Sequence, residues 1–226
     1  MKKIGVFIPG RLQSERLPNK LVLPLGDTNL WDIACKKLNS LPDKYNKYAL
    51  CYDKELVEIA QKYDNLTVIL RDEDTALVDG PLEYIFKDLK EVEDTHLMFL
   101  NPCLAFLKKE TILKSLETFD SLDEDYCEGN YATSVKVYKN WLFNNQNQCL
   151  TDINYERLTT KEIPDYYEAA HCFHIFNKDN FFKDGQMLKD NHSLIEVPNK
   201  EVIDIDTKED YEFAKWKWEN KSTSPT

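Results

Sequence analysis

Apolar residues in this chain gather into short runs that alternate with stretches of helical period. Residues 4–8 form a first apolar run that predicts a strand. Leu30, Ile33, Ala34 and Leu38 then recur at helical spacing, with Asp27 or Thr28 as N-cap. Residues 48–52 predict a second strand, and Leu56, Ile59, Ala60 and Tyr63 the helix after it. Residues 66–70 predict a third strand, followed by a helix marked by Leu82, Ile85, Phe86 and Leu89. Residues 96–100 read as a strand again, and Ile112, Leu113, Leu116 and Phe119 as the next helical face. This strand–helix alternation predicts an α/β fold: a mainly parallel sheet, helices on both faces, and right-handed crossovers.

Beyond about residue 120 the pattern changes. Residues 131–138, YATSVKVY, alternate like a half-exposed strand, and residues 171–176, HCFHIF, return to strand character. Between them, residues 141–170 are rich in Asn, aromatics and charge and show no clean period, which predicts an arm or insertion and not a second domain. VIDID then leads into a helix on which Tyr211, Ala214 and Trp218 share a face, with Thr207 and Asp210 spaced as a capping box. Residues 220–226 read as a frayed tail. There are no internal repeats, so residues 1–226 read as a single domain.

Charge narrows the partners. With 29 Lys+Arg against 40 Asp+Glu, the chain carries a formal charge of −11. Such a surface repels nucleic acid and anionic membranes, so neither is an expected partner. No apolar run approaches the ~20 residues of a membrane span. The opening MKKIGVFIPGR starts like a signal peptide, but its apolar part is too short and Arg11 interrupts it. The six cysteines form no CxxC pair, and most read as small buried hydrophobes of a cytoplasmic chain.

Against that acidic background, GRLQSERLPNK at residues 10–20 collects three cations, Arg11, Arg16 and Lys20, around Ser14. The loop follows Pro9-Gly10 at the carboxyl end of the first strand, where open α/β sheets bind ligands. Gly10 lets backbone approach a ligand, and two guanidiniums, an ammonium and a hydroxyl can surround several phosphate oxygens. The spacing is neither Walker A nor GxGxxG. The plain alternative is a solvated turn whose cations offset an acidic protein.

A second constellation is DIDTKED at residues 204–210. On a strand, Asp204 and Asp206 point the same way and can reach one hard cation. Magnesium needs only one or two carboxylates when phosphates and waters complete its shell. The alternative is that Asp206 caps the following helix and Asp204 is a solvated strand end.

IPGRLQSERLPNK resembles the IPARxxSxRLPxK signature of the cytidylyltransferases that activate acidic sugars, the CMP-Kdo and CMP-sialic-acid synthetases and the related spore-coat polysaccharide enzymes. DIDTKEDYEFA resembles the DIDTPEDLxxA signature of the same family, with Lys208 in place of Pro. The resemblance implies a three-layer α/β/α nucleotidyltransferase-like domain with a β-rich dimerisation arm. It implies that Pro9, Gly10, Arg11, Ser14, Arg16 and Lys20 bind the triphosphate of CTP, and that Asp204 and Asp206 hold magnesium. Arg11, Lys20, Asp204 and Asp206 would then be the catalytic set, acting on CTP and an acidic sugar in a homodimer.

The middle of the chain fits less closely. LMFLNPCLAF at 97–106 occupies the place of the family's QPTSP-like turn. Asn101 and Pro102 match it as substrate-binding positions, Cys103 stands at the Thr position, and Leu104-Ala105-Phe106 depart from the pattern. With no base beside it, Cys103 reads as a packing residue. Arg71 falls where relatives recognise cytosine, and reads otherwise as an ion-paired surface arginine. His171 and His174 lie three apart on a strand, which turns them to opposite faces and argues against a shared metal. Two other functions remain open on the residues alone: a glycosyltransferase using DxD, and a non-catalytic nucleotide-binding paralogue.

Overall fold

The computed structural model describes residues 2–123 and 129–220. In chain order the elements are β1 (Ile4–Gly10), a small hairpin of β2 (Pro24–Leu25) and β3 (Thr28–Asn29), α1 (Leu30–Asn39), β4 (Asn46–Cys51) and α2 (Lys54–Ala60). Next come β5 (Thr67–Leu70), α3 (Glu73–Leu77), α4 (Leu82–Ile85), β6 (His96–Leu100) and α5 (Lys109–Asp120). The remainder comprises β7 (Tyr131–Tyr138), β8 (Tyr166–Asn177), α6 (Lys178–Asp184), β9 (Ser193–Glu196) and α7 (Lys208–Glu219).

The seven main strands form one sheet in the order β5-β4-β1-β6-β8-β7-β9. β1 lies at its heart, parallel to β4 and to β6, with Phe7 level with both Tyr48 and Phe99. β8 enters antiparallel to both β6 and β7, while β9 runs parallel to β7. The sheet is therefore mixed and mainly parallel, as the strand–helix alternation predicts.

The sheet is covered on both faces, which is why β1 reads as an unbroken apolar run. Ile4, Val6 and Ile8 pack into one core with Trp31 and Leu38 of α1, Leu56 of α2, Leu116 of α5 and Ala214 of α7. Phe7 points the other way, into a cluster with Tyr48, Leu50, Phe86, Phe176 and Phe181. Alternation along one strand thus feeds both outer layers.

Several local expectations shift. The N-cap of α1 is Asn29, not Asp27 or Thr28: its side chain accepts from the Asp32 N–H at 2.8 Å. The tight hairpin turn at Gly26, with φ of 66°, delays helix entry until Asn29. The helix expected over Leu82 to Leu89 breaks into α4 and a 3-10 turn at Lys87–Leu89, and a further short helix, α3, precedes it. Tyr63 lies beyond α2, where its hydroxyl donates to Asp32. VIDID is not a strand: a 3-10 turn at Asn199–Glu201 gives way to irregular backbone up to Thr207. The capping box at the start of α7 is present, with Thr207 as N-cap.

The arm is only partly β. The outer halves of β7 and β8, Val135 to Tyr138 against Ala169 to Tyr166, pair as a ribbon. Between the two strands, the described residues hold one isolated bridge, Phe143 to Cys149. Cys35, Cys51, Cys103 and Cys172 are buried free thiols, and Cys149 is half-buried. Cys127 and the tail at 221–226 lie outside the described residues. Among the described residues, no helix is long and apolar enough to cross a membrane.

β8 bulges where it passes Ser134. Pairing jumps from Thr133–His174 to Val135–Ala169, and His171 takes a left-handed conformation with φ of 50°. The fully buried Ser134 hydroxyl supplies what the broken ladder lacks: it accepts from the N–H of Cys172 at 2.8 Å and of Phe173 at 3.1 Å. It also donates to Phe173 O at 3.2 Å. Ser134→Ala strands two buried donors and is expected to lower unfolding free energy by about 2–4 kcal/mol in a urea titration. A loss below about 0.5 kcal/mol would mean that the bulge does not depend on this hydroxyl.

Candidate active site

The loop after β1 is fixed at both ends. The Leu12 N–H donates to Asp53 Oδ2 at 2.9 Å, and Asn19, left-handed at φ 57°, closes the loop by donating to Leu12 O at 3.1 Å. Leu17 and Leu21 are buried anchors between its charged positions. Gly10 is required for a reason other than ligand approach: a Cβ there would stand 2.8 Å from the Trp31 ring and 3.0 Å from Leu56. Trp31, fully buried, is itself pinned by its Nε1–H donating to Leu56 O at 2.9 Å.

Each cation of the loop has a carboxylate partner. Arg11 Nη1 lies 3.0 Å from Asp79 Oδ1. Arg16 Nη2 lies 2.9 Å from Asp206 Oδ2, and Lys20 Nζ 2.6 Å from Asp206 Oδ1. The two sequence constellations therefore meet in space, through Arg16 and Lys20 on Asp206. Burial lowers the Lys20 pKa, but Cys103 and Asp206 beside it outweigh this and raise it, so the ammonium stays charged.

A cavity of about 500 Å³ opens beside the loop, within the ordinary range of small-ligand sites. Pro9, Gly10, Arg11, Ser14, Arg16, Lys20, Arg71, Pro102 and Cys103 line it, together with the apolar side chains Val78, Leu82, Ile85 and Phe86. Its walls thus combine cations with an apolar, aromatic surface, as a nucleotide's phosphates and base require. Asn101, Asp204 and Asp206 are not among the lining residues, although Asp206 joins the site through its ion pairs.

Arg71 is not the surface ion pair that its sequence context allows. It is buried, donates through Nη2 to Thr75 O, and lies 6.0 Å from the Phe86 ring centre. Its Nε–H is buried without a partner among the described residues. Burial and the nearby Arg11 lower its pKa, although an arginine remains cationic in proteins.

The carboxylate pair is asymmetric. Burial, then the charge of Asp206, raises the Asp204 pKa, against the opposing pull of Lys20 and Asn101. Asp204 Oδ2 accepts from Asn101 Nδ2 at 3.3 Å, while Oδ1 is buried with no partner among the described residues. Asp206 does not cap α7, since Thr207 does. Asn101 is a clamp behind Asp204: Nδ2 also donates to His171 O at 3.2 Å, Oδ1 accepts from the Cys103 N–H at 2.9 Å, and its own N–H reaches Cys172 O. Asp204's orphaned oxygen and Asp206 form a donor pair that fits magnesium, whose remaining ligands are phosphates and water. No cluster of three or more His, Cys, Asp or Glu suited to a metal occurs among the described residues.

Leu104, Ala105 and Phe106, which depart from the family turn, are all buried in the core, so the departure is one of packing. Burial pushes the Cys103 thiol up to about 11 despite Lys20 nearby, leaving it protonated and unsuited to nucleophilic attack at neutral pH. The two histidines correct the strand argument: the β8 bulge breaks alternation, and the His171 and His174 rings sit 6.2 Å apart, edge to face. His174 is held neutral, its pKa pushed down to about 4 by burial and by His171 and His192. The pairing of Asp79 with Arg11 and the apolar wall of the cavity carry no sequence motif. Phe86, for example, shares a helical period with ordinary core positions.

An α/β sheet with a cationic loop at the carboxyl end of β1, answered by a carboxylate pair near the C-terminal helix, defines a nucleotidyltransferase. The sequence matches the family model described as cytidylyltransferase over residues 6–219, and the chain belongs to that family. It is therefore a CTP-dependent nucleotidyltransferase, and the glycosyltransferase reading is set aside. It is similar to two Campylobacter jejuni proteins named pseudaminic acid cytidylyltransferase, each 24% identical over 226 residues and covering 95% of both chains. In fold it is similar to a CMP:2-keto-3-deoxy-manno-octonic acid synthetase solved with CTP, with a TM-score of 0.69 at 14% identity, covering 97% of this chain and 99% of that one. A 4-diphosphocytidyl-2C-methyl-D-erythritol synthase from Anaerococcus prevotii aligns with a TM-score of 0.68 at 13% identity, covering 96% of each.

A raised carboxyl pKa means that the folded state holds this proton more tightly than the unfolded state does. Stability therefore falls as pH climbs from the ordinary carboxylate range through the raised value, and stays lower above it. Asp204→Asn removes that cost and is expected to raise Tm at pH 7.5, with the gain shrinking towards about pH 4. A lower Tm for the variant at pH 7.5 would show that ionised Asp204 supports the fold.

Proposed function

We propose that the protein transfers a cytidylyl group from CTP to the anomeric hydroxyl of a 2-keto-3-deoxy sugar acid, releasing pyrophosphate, with magnesium held by Asp204 and Asp206. The observation that carries this reading is the convergence of Arg16 and Lys20 on Asp206, at 2.9 and 2.6 Å. It joins a phosphate-binding loop to a metal-binding pair in one site.

Arg11, Arg16 and Lys20 would exchange their carboxylate partners for triphosphate oxygens and then stabilise the departing pyrophosphate, with Ser14 adding a donor. Arg71 lines the cavity beside its apolar wall, where its guanidinium would meet the base. When bound, magnesium supplies charge stabilisation at the α-phosphate. The acceptor hydroxyl attacks phosphorus in line, and no covalent enzyme intermediate is required. Positioning and preorganised charge account for the rate, so loss of one such contact costs ~10²–10³ in turnover.

The relatives' names put pseudaminic acid first among acceptors, ahead of other nine-carbon sugar acids and Kdo-like acids, for the synthesis of surface glycans. CTP is a cytoplasmic metabolite, which places the reaction in that compartment. A homodimer fits the exposed apolar side chains Leu142, Phe143, Leu150, Tyr155 and Leu158 between β7 and β8, a composition suited to contact with a second copy.

The test is pyrophosphate release with magnesium, crossing the four ribonucleoside triphosphates with pseudaminic, legionaminic, sialic and Kdo-type acids. Release with CTP and one acid is expected, and Asp204→Asn is expected to lose turnover while remaining folded. Absence of both release and CTP binding, or near-normal turnover in Asp204→Asn, would contradict the proposal.

A further inference from the structure

A second cleft, of about 850 Å³, lies between α1, the start of α5 and α7. In a chain of charge −11 it is lined by six lysines: Lys36, Lys37, Lys108, Lys109, Lys200 and Lys217. Two of its four acidic residues are engaged elsewhere. Glu201 is buried and accepts from the Lys108 N–H at 3.0 Å and the Thr111 hydroxyl at 2.7 Å. Asp32 accepts from the hydroxyls of Thr28 and Tyr63. Asp27 and Glu110 are exposed.

Two lysines shape the walls. Lys37 donates to the carbonyls of Leu104 and Ala105, and Lys217 donates to Lys200 O at 3.1 Å while lying 4.9 Å from the Phe106 ring centre. The ammonium groups of Lys36, Lys108, Lys109 and Lys200 have no partner among the described residues. Phe106 and Trp218 meet edge to face at 6.0 Å, giving the cleft an aromatic surface. Glu201 already takes the Lys108 N–H and the Thr111 hydroxyl at the start of α5, so the lysines and the concavity carry the argument.

Like charges gathered around a concavity focus a positive field. Ammonium groups bind phosphate as flexible point charges, and an aromatic surface adds affinity for a planar ring. We infer that this cleft is a second binding site, for a phosphorylated, ring-bearing small molecule of nucleotide type. It is separate from the reaction cavity, yet the chain that lines that cavity at Pro102 and Cys103 continues into its wall at Ala105 to Lys109.

The probe is CMP without metal, followed through the indole N–H resonance of Trp218, assigned by comparison with Trp218→Phe. An Arg11→Ala/Arg16→Ala variant weakens nucleotide binding in the reaction cavity. In that protein CMP is expected still to shift the Trp218 resonance saturably. Adding Lys36→Ala and Lys109→Ala is expected to weaken the response by about tenfold or more, and inorganic phosphate to bind at least about fivefold more weakly than CMP. Lys36→Ala/Lys109→Ala alone is expected to leave CTP-dependent pyrophosphate release unchanged. An unmoved Trp218 resonance, an equal response without the two lysines, or equal affinity for phosphate and CMP would overturn the inference. None of these outcomes bears on cytidylyl transfer, whose failure would appear only in the turnover assay.

Discussion

The structure turns on one carboxylate. Asp206 holds Arg16 and Lys20 together, and the Lys20 contact spans 186 positions of chain. It ties the loop after the first strand to the segment before the last helix. These pairs are partly exposed, with side-chain exposures of 68% for Arg16, 17% for Lys20 and 24% for Asp206. Solvent screening keeps such pairs weak enough to exchange. On the proposed reading, a triphosphate would bring several anionic oxygens to the same cations, and a metal ion would bring Asp206 a better partner. The contact would then organise the loop beforehand and yield when nucleotide and metal arrive.

Behind Asp206 the site carries a cost that the fold absorbs. Asp204 is half-buried beside another carboxylate, with one oxygen unpartnered and its pKa raised. Asn101 steadies it, and Asn101 is in turn fixed by the Cys103 N–H, the His171 carbonyl and Cys172. Two of those partners, His171 and Cys172, sit where β8 bulges around Ser134. A local break in the sheet is therefore what brings the strand's backbone within reach of Asn101, which holds Asp204. Strained backbone at His171 belongs to the same device.

Much of this was legible in the sequence, for identifiable reasons. Strands buried on both faces read as short apolar runs, so β1, β4 and β6 stood out; the edge strand β5 showed as a shorter run, β7 by alternation, and α1 and α5 by their period. The loop after β1 stood out because three cations crowd together in an acidic chain, and DIDTKED marked Asp204 and Asp206 as candidates, but not the pairing of Asp206 with Arg16 and Lys20. Long-range geometry was not legible. That VIDID is irregular backbone, that Gly10 is demanded by Trp31, and that a bulge turns His171 towards His174 all depend on residues far away in sequence. Arg71 showed the limit most clearly, since nothing in LRDEDTALVDG separates a buried arginine facing a cavity from a solvated one.

Titration of CTP in the absence of divalent metal, into the wild-type protein and into Asp206→Ala, tests the central claim most directly. If Asp206 holds the loop cations in reserve, removing it frees two of them and takes away a negative charge, and CTP binds several-fold more tightly, an effect on the order of 1 kcal/mol. Weaker binding of CTP to Asp206→Ala under these conditions would contradict the account, because it would make Asp206 a necessary brace for the phosphate loop and not the partner that nucleotide displaces.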